Sequence, residues 1–473
     1  MTSPAPANQR PDEGDLIEES LYEVRKKIHP RSVTGVFANW RWALVWITQL
    51  LFYGLAWLPW NGRQAVLLEL AERKFYIFGL VLWPQDVFFL AILLIIAAYS
   101  LFLVTAVGGR VWCGYACPQT VYTEIFLWIE MKLEGDRNAR VKLDAAPWSA
   151  DKVARRGGKF LIWGLLAAWT GFTFVGYFSP IKTLWGDVWT LQVSAWEAFW
   201  ILFYGGFTYL MAGHMREQVC KYMCPYARFQ GVMFDPDTLV ITYDPERGEP
   251  RGQRKKGVDP RTLGKGDCVD CGICVQVCPT GIDIRDGLQY ECIGCSACID
   301  ACDQVMDKVG YPRGLIRYTT EHALEKHWGW KEIVGHVIRP RIIIYSAILA
   351  AICVAFVWGL ANKTDLRVDV IRDRATLARE VEGELIENVY RLHVMNVSEE
   401  SRRFAISVSG MDGIELIGDR IVELPAAGAK SVAVQVRVPV GAGKKGSNTI
   451  YFDVKSMADA KVSVHEKASF FQP

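Results

Sequence analysis

The stretch CVDCGICVQVCP at 268–279, followed by CIGCSACIDAC at 292–302, constrains this chain more than any other feature. Each run reads Cys-x2-Cys-x2-Cys-x3-Cys, the spacing that wraps a 4Fe–4S cube, and in two-cluster ferredoxins the fourth Cys of each run serves the other cluster. That rule gives Cys268, Cys271, Cys274 and Cys302 to one cluster and Cys292, Cys295, Cys298 and Cys278 to the second. Gly272 and Gly294 permit the tight backbone the spacing demands and offer N–H groups to the sulfurs. Structural zinc is the alternative, and two copies of the full run weigh against it. Asp303 stands where the first run has Pro279, and it reads most simply as a helix cap. No Gly-x-Gly-x-x-Gly follows a strand, so no nicotinamide site is expected.

The rest of the chain is too apolar for an ordinary soluble protein, at 51% hydrophobic with 18 Trp in 473 residues. The excess clusters into five runs long enough to cross a bilayer, at about 40–60, 86–107, 160–179, 195–213 and 341–361. No small-residue cleavage site follows the first run, so the polar segment 1–39 is expected to stay on the chain rather than be removed with a signal peptide. The segment 67–85 is broken by Glu69, Glu72, Arg73 and Lys74 and reads as an external interfacial hairpin.

Charge sets the orientation. Nine Lys and Arg lie in 108–159 and one, Lys182, in 180–194, which puts the former in the cytoplasm and the latter outside. Alternation then gives a cytoplasmic N-terminus, a cytoplasmic 214–340 and an external part from about 362. Twelve of the 13 cysteines fall in four short groups on the cytoplasmic side, where thiols stay reduced; this is metal-ligand usage, not a disulfide framework.

The other two groups are WCGYACPQT at 112–120 and CKYMCPYARFQ at 220–230, each closing a helix pair at the inner face, a weak internal repeat. Cys113 with Cys117, and Cys220 with Cys224, are four apart and share one face of any helix that carries them. The proline after each second Cys favours a bend. Soft thiolates select Cu(I), zinc or iron–sulfur centres. Packed thiols at a helix end are the plainer reading of one such pair, and the repetition argues against it. Met211, His214, Met215 and Met223 stand nearby and are potential copper ligands, though they read more simply as packing or hydrogen-bonded groups, and Cys353 takes no role.

From 362 the texture is β: LRVDVI, NVYRLHVMNV, RFAISVSG, KSVAVQVRV, TIYFDVKS and KVSVHEKASFF alternate apolar and polar residues between turn residues. Six or seven such strands without a cysteine suggest an immunoglobulin-like sandwich that lacks a disulfide. The expected fold is a multidomain membrane protein: an α-helical transmembrane bundle with an inserted two-cluster ferredoxin-like α+β module and a C-terminal all-β sandwich. Its parts are an N-terminal segment 1–39, a four-span membrane domain 40–234 and a basic linker 235–266. The ferredoxin-like module 267–310 follows, then a connector 311–340, a fifth span 341–361 and an external domain 362–473. The basic, Gly-rich 245–266 is a solvated linker or a headgroup contact. No basic face interleaved with aromatics points to nucleic acid.

MREQVCKYMCPYARFQ, the two-cluster run continuing into CDQVMDKVGYPRGLIRY, and the β-rich tail together resemble the cytochrome c oxidase accessory protein family, the CcoG/FixG/RdxA-like membrane polyferredoxins. The resemblance covers nearly the whole chain. It implies a protein of the bacterial inner membrane that reduces Cu(II) to Cu(I) for the copper centre of cbb3-type cytochrome c oxidase. Two 4Fe–4S clusters would sit on the eight cysteines above, and copper, as substrate or transient ion, on Cys113, Cys117, Cys220 and Cys224. The partners implied are a cytoplasmic electron donor, a copper transporter or chaperone, the oxidase assembly machinery, membrane lipid and, as an option, a second copy in a homodimer. Two other readings stay open: a quinol-linked relay to another reductase, and a non-enzymatic assembly scaffold.

Overall fold

The computed structural model describes residues 27–254, 263–373, 378–459 and 461–473. Segment 1–26 and the basic 255–262 lie outside the described residues. Among the described residues, three helices are long and apolar enough to cross a membrane: Pro84–Gly108, counting its first 3-10 turn, Ala150–Val175 and Pro340–Ala361. The other two expected spans are less regular. The helix Val36–Leu55 carries Asn39, Arg41 and Gln49 among its apolar residues, and Ala195–Thr208 is a short α-helix that continues as a π-helix over Tyr209–Met215.

Helices Ala150–Val175 and Ala195–Thr208 approach through small residues. A β-carbon on Gly205 would lie 3.0 Å from the Ala167 carbonyl, and one on Gly171 would lie 2.7 Å from the Gly205 nitrogen. Small residues let helix backbones touch where apolar burial gives no driving force.

At one end of the bundle sits the β domain, the expected immunoglobulin-like sandwich. One sheet runs Glu415–Gly418, Ala429–Pro439, Leu385–Asn396, Leu366–Arg372, with Arg379–Val381 beside Leu385–Asn396. The other runs Ile421–Leu424, Arg402–Ser409, Gly446–Ser456, Ser463–Gln472. Alternate residues of both inner faces, Tyr390, Leu392, Phe404, Val436, Phe452 and Phe470 among them, make a dry core. The segment 67–85 is a three-stranded antiparallel sheet, Val66–Glu69, Lys74–Ile77 and Leu80–Leu82. Its Leu67, Tyr76, Val81 and Trp83 bury against Met395, Val397 and Ala427 of the sandwich. The same sheet reaches the turn after Ala150–Val175, where Leu68 N–H donates to the Tyr177 carbonyl.

At the opposite end lies the cysteine-rich module, larger than the 267–310 expected. Within the segment read as a linker, Val240–Tyr243 pairs antiparallel with Ile316–Thr319 from the segment read as a connector. These strands carry Ile241, Tyr243 and Ile316 into a core with Ile299, Met306 and Leu315. Four-residue strands with two buried positions are too short to show periodicity. Arg247 meets Asp267 at 2.6 Å, so part of the basic stretch is tied down rather than solvated. Asp303 caps nothing. It lies within the helix Ala297–Val309, and its Oδ1 accepts the Gly314 N–H at 2.9 Å, closing the turn after that helix.

Candidate metal-cluster and thiol sites

The eight cysteines of the two runs line two small cavities of the module. One is bounded by Cys268, Cys271, Cys274 and Cys302. The other is bounded by Cys278, Cys292, Cys295 and Cys298, with Cys274 on the wall between them. The backbone explains how three thiols converge from so short a run. Gly272 (φ 61°) and Gly294 (φ 69°) are left-handed, as are Asp270 (φ 53°) and Ser296 (φ 60°). Asp270 and Gly294, and likewise Gly272 and Ser296, occupy equivalent places in the two runs, so each loop bends twice in the same way.

The chemistry of the donors fits a cluster. Burial is the first cause that pushes the Cys295 and Cys302 thiols up to about 12 and Cys274 and Cys292 to about 11, with thiol–thiol repulsion adding to it. Desolvated thiolates persist only beside a cation's charge, which a bound cluster supplies.

The second thiol group lies where the bundle meets the module. The expectation that each pair rides one helical face is corrected here. Cys113 is in the short helix Val111–Tyr115, whereas Cys117 is extended (ψ 128°) and precedes the helix Pro118–Glu134. Cys220 is in a second π-turn, Val219–Met223, and Cys224 (ψ 110°) precedes Pro225–Met233. Each proline forbids helical ψ at the cysteine before it and starts a new helix, so the two hooks share one shape.

The four thiols form one electrostatic group. Burial, then Cys117, pushes Cys113 up to about 12, while Arg110 and the side chain of Gln230 oppose it. Burial, then Cys117 and Cys224, pushes Cys220 up to about 11. Burial also raises Cys117, countered by the N–H groups of Gln119 and Thr120 at the start of the new helix. Cys113 Sγ donates to Gln230 Oε1 at 3.3 Å. Among the described residues, no three His, Cys, Asp or Glu side chains converge tightly enough to hold a single metal ion. That holds for the hooks as for the two quartets.

Contacts that spacing alone does not reveal join the hooks to the second run. A β-carbon on Gly114 would fall 2.6 Å from the Gly294 carbonyl oxygen and 2.8 Å from Cys295 Cα. Tyr115 donates to Ser296 at 2.9 Å, and Ser296 to Tyr318 at 2.7 Å. Arg41 donates to the Cys295 carbonyl at 2.5 Å. Asp300 accepts the N–H groups of Phe37 and Ala38 at 3.2 and 2.7 Å, so a module carboxylate caps the helix Val36–Leu55. The sequence signal for these, a Gly inside the first hook and an Asp inside the second run, was present and carried no chemistry by itself.

Behind the second hook, Glu130 is fully buried and faces Arg216 at 2.7 Å, Arg140 at 3.5 Å and Lys159 at 3.6 Å. Arg216, at φ 43°, links the two π-turns. His214 lies in an aromatic nest of Phe160, Trp163 and Tyr209. Cys353 falls within the helix Pro340–Ala361.

Family models match three parts of the chain: a 4Fe–4S dicluster domain over residues 215–321, a 4Fe–4S binding domain over 89–134, and the Ig-like fold at the C-terminus of FixG over 356–473. Among curated proteins, the chain is 40% identical over 427 residues to the nitrogen fixation protein FixG of Rhizobium meliloti, covering 84% of this chain and 81% of that one. It is 37% identical over 455 residues to protein RdxA of Cereibacter sphaeroides, covering 94% and 95%. It is 40% identical over 403 residues to protein RdxB of the same organism, covering 84% of each.

Proposed function

The chain belongs to the FixG family and is a membrane iron–sulfur redox protein, and on that premise we propose that it reduces Cu(II) to Cu(I) at the four hook thiols. One contact carries the reading: the backbone of Gly114, between Cys113 and Cys117, packs on Gly294 and Cys295 of the second run. Bound in the two quartets, 4Fe–4S clusters supply single electrons, which is the change a copper ion needs. The Gly114 contact and the Tyr115–Ser296–Tyr318 chain hold the hook against the loop from which that electron leaves.

The chain's own residues prepare the copper end. Thiolates favour the reduced ion, so product is held in the right state. The N–H groups of Gln119 and Thr120 at Cys117, and the guanidinium of Arg110 at Cys113 and Cys220, partly offset the burial that raises these thiols. In this reading copper is a passing substrate of the hook thiols, taken up as Cu(II) and released as Cu(I). The Cu(I) formed serves a transporter or chaperone and then the copper centre of a cbb3-type oxidase. Five membrane crossings put the module and the hooks in the cytoplasm and the β domain in the periplasm.

The test is to replace Cys113, Cys117, Cys220 and Cys224 by Ser in the full-length protein and follow Cu(I) with a chromogenic chelator after reduction by dithionite. The reading expects about eight iron per chain to be retained and copper reduction to fall at least tenfold. Unchanged Cu(I) formation with iron retained sinks it.

A further inference from the structure

A cavity of about 960 Å³ opens between the helices Val36–Leu55, Pro118–Glu134 and Ala150–Val175 and the cysteine module, and the copper reading uses only Gln119, Thr120, Cys220 and Cys295 on its wall. We propose that it binds the headgroup of an isoprenoid quinone. The proposal rests on the reading of the two quartets as an electron relay and adds a membrane-borne redox partner to it.

Four observations select the ligand. The walls are aromatic: Trp42, Trp57 and Trp169 line the cavity, with Trp57 and Trp169 stacked at 6.3 Å. A flat ring system packs against such faces. The cavity is bordered by Trp46 and Leu50, 62% and 66% exposed on an apolar helix face, so a ligand enters from lipid. Its other border includes Cys295 of the second quartet and Cys220 of the second hook. Lastly, two lining groups have buried atoms without hydrogen-bond partners, Gln49 Oε1 and Arg41 Nε.

Arg41 is the more telling. It is 94% buried by its 6% exposure, its Nη1 donates to the Cys295 carbonyl, and its Nη2 lies 3.9 Å from Glu124. A buried donor left unpaired costs about 1–3 kcal/mol, and a quinone oxygen satisfies it. The hydroxyl of the reduced ring suits Gln49 Oε1. A saturated acyl chain would fill the same volume and leave both atoms unpaired.

The electron count is consistent. A quinol that becomes quinone breaks two O–H bonds and releases two electrons and two protons, one electron for each quartet. Glu124, on the cavity wall, takes the protons in turn and passes them to water at the polar border by Ser32 and Thr34.

The experiment uses the full-length iron-loaded protein in lipid nanodiscs with a photoreactive azido-quinone. After irradiation, peptides carrying Val36–Leu55 and Pro118–Glu134 should hold the label. Excess unlabelled quinone, and the variants Gln49→Leu and Glu124→Gln, should each reduce labelling at least fivefold. Labelling elsewhere, or competition by phospholipid equal to that by quinone, overturns the proposal and assigns the cavity to lipid. Iron content and the EPR signal of the dithionite-reduced protein are read on the same sample. Intact signals without quinone labelling sink the quinone site alone, whereas absent signals sink the relay beneath it.

Discussion

Gly114 and Gly294 meet backbone to backbone, and a β-carbon on Gly114 would lie 2.6 Å from the Gly294 carbonyl oxygen. Neither side of this contact is a flexible side chain, so Gly114→Ala forces the first hook and the second cysteine run apart. Overpacking of this kind costs about 1–3 kcal/mol. The variant is expected to keep its iron while copper reduction slows several-fold and the EPR signal of one cluster shifts. An unchanged rate and spectrum would show that the two sites do not communicate through this face.

Asp300 ties the module to the membrane bundle by capping the helix Val36–Leu55 from across the interface. Losing a cap costs about 0.5–2 kcal/mol. Asp300→Ala is expected to loosen residues 27–40, seen as faster amide exchange there, while Asp300→Asn keeps part of the protection because its amide oxygen still accepts. Equal exchange in both variants and the parent would deny Asp300 this role.

These two contacts show where the sequence stopped being legible. The eight-cysteine division, the hooks and the alternating strands followed from spacing and period, because each is a local pattern. Short Arg379–Val381, Glu415–Gly418 and Ile421–Leu424 went unseen because three or four residues are too few for a period of two to stand out, even in Ile421–Leu424, where Val422 and Leu424 are buried in alternation. The strand pair Val240–Tyr243 with Ile316–Thr319 joins residues about 75 apart, and no local signal marks it. The hooks were expected on single helices because i and i+4 spacing fits one. The prolines that broke those helices were in view, and their consequence was a change of backbone at Cys117 and Cys224.

Glu130 holds three buried cations together behind the second hook, and removing one partner of a buried ion pair costs about 3–5 kcal/mol. Glu130→Ala leaves Arg140, Lys159 and Arg216 facing one another without their shared carboxylate. Arg216 then loses its anchor, and with it the π-turn that carries Cys220. Lower thermal stability is expected, together with faster alkylation of Cys220 by a maleimide. Restored slow alkylation in Glu130→Asp would tie the effect to charge.

Inside the β domain, burial alone would raise the Glu387 carboxyl, but its bonds to Arg437, at 2.7 Å, and Arg379 outweigh it and hold the group below its ordinary value. A carboxylate with a lowered folded pKa adds stability above its unfolded value, about 4.3, and loses it as pH falls through the folded one. Protection of the Leu385–Asn396 amides, corrected for intrinsic exchange, should therefore drop between neutral pH and pH 3. Arg437→Leu should lower it at neutral pH by roughly 2 kcal/mol. Glu387→Gln should flatten the acid loss, and an undiminished acid loss would place its cause elsewhere.

The proposed sidedness can be tested because the contacts separate the two ends of the bundle. The turn after Ala150–Val175 touches the 66–82 sheet, which rests on the β domain, and Asp86 at the start of Val87–Gly108 meets Lys363 at 3.0 Å just past the last helix. At the other end, Arg339 before that last helix donates to the Ala106 carbonyl at 2.8 Å, beside the module. Both helices thus run the full distance between the two ends, and the basic loop 108–159 lies at the module end. The proposed orientation, which rests on the positive-inside rule, has Lys182 and the β domain outside. A membrane-impermeant maleimide on intact cells should label Lys182→Cys and Ser447→Cys, and should reach Lys142→Cys and Lys308→Cys only after permeabilisation. Labelling of Lys142→Cys and Lys182→Cys from the same side would mean that Ala150–Val175 does not cross, and the separation of the hooks from the β domain would fail with it.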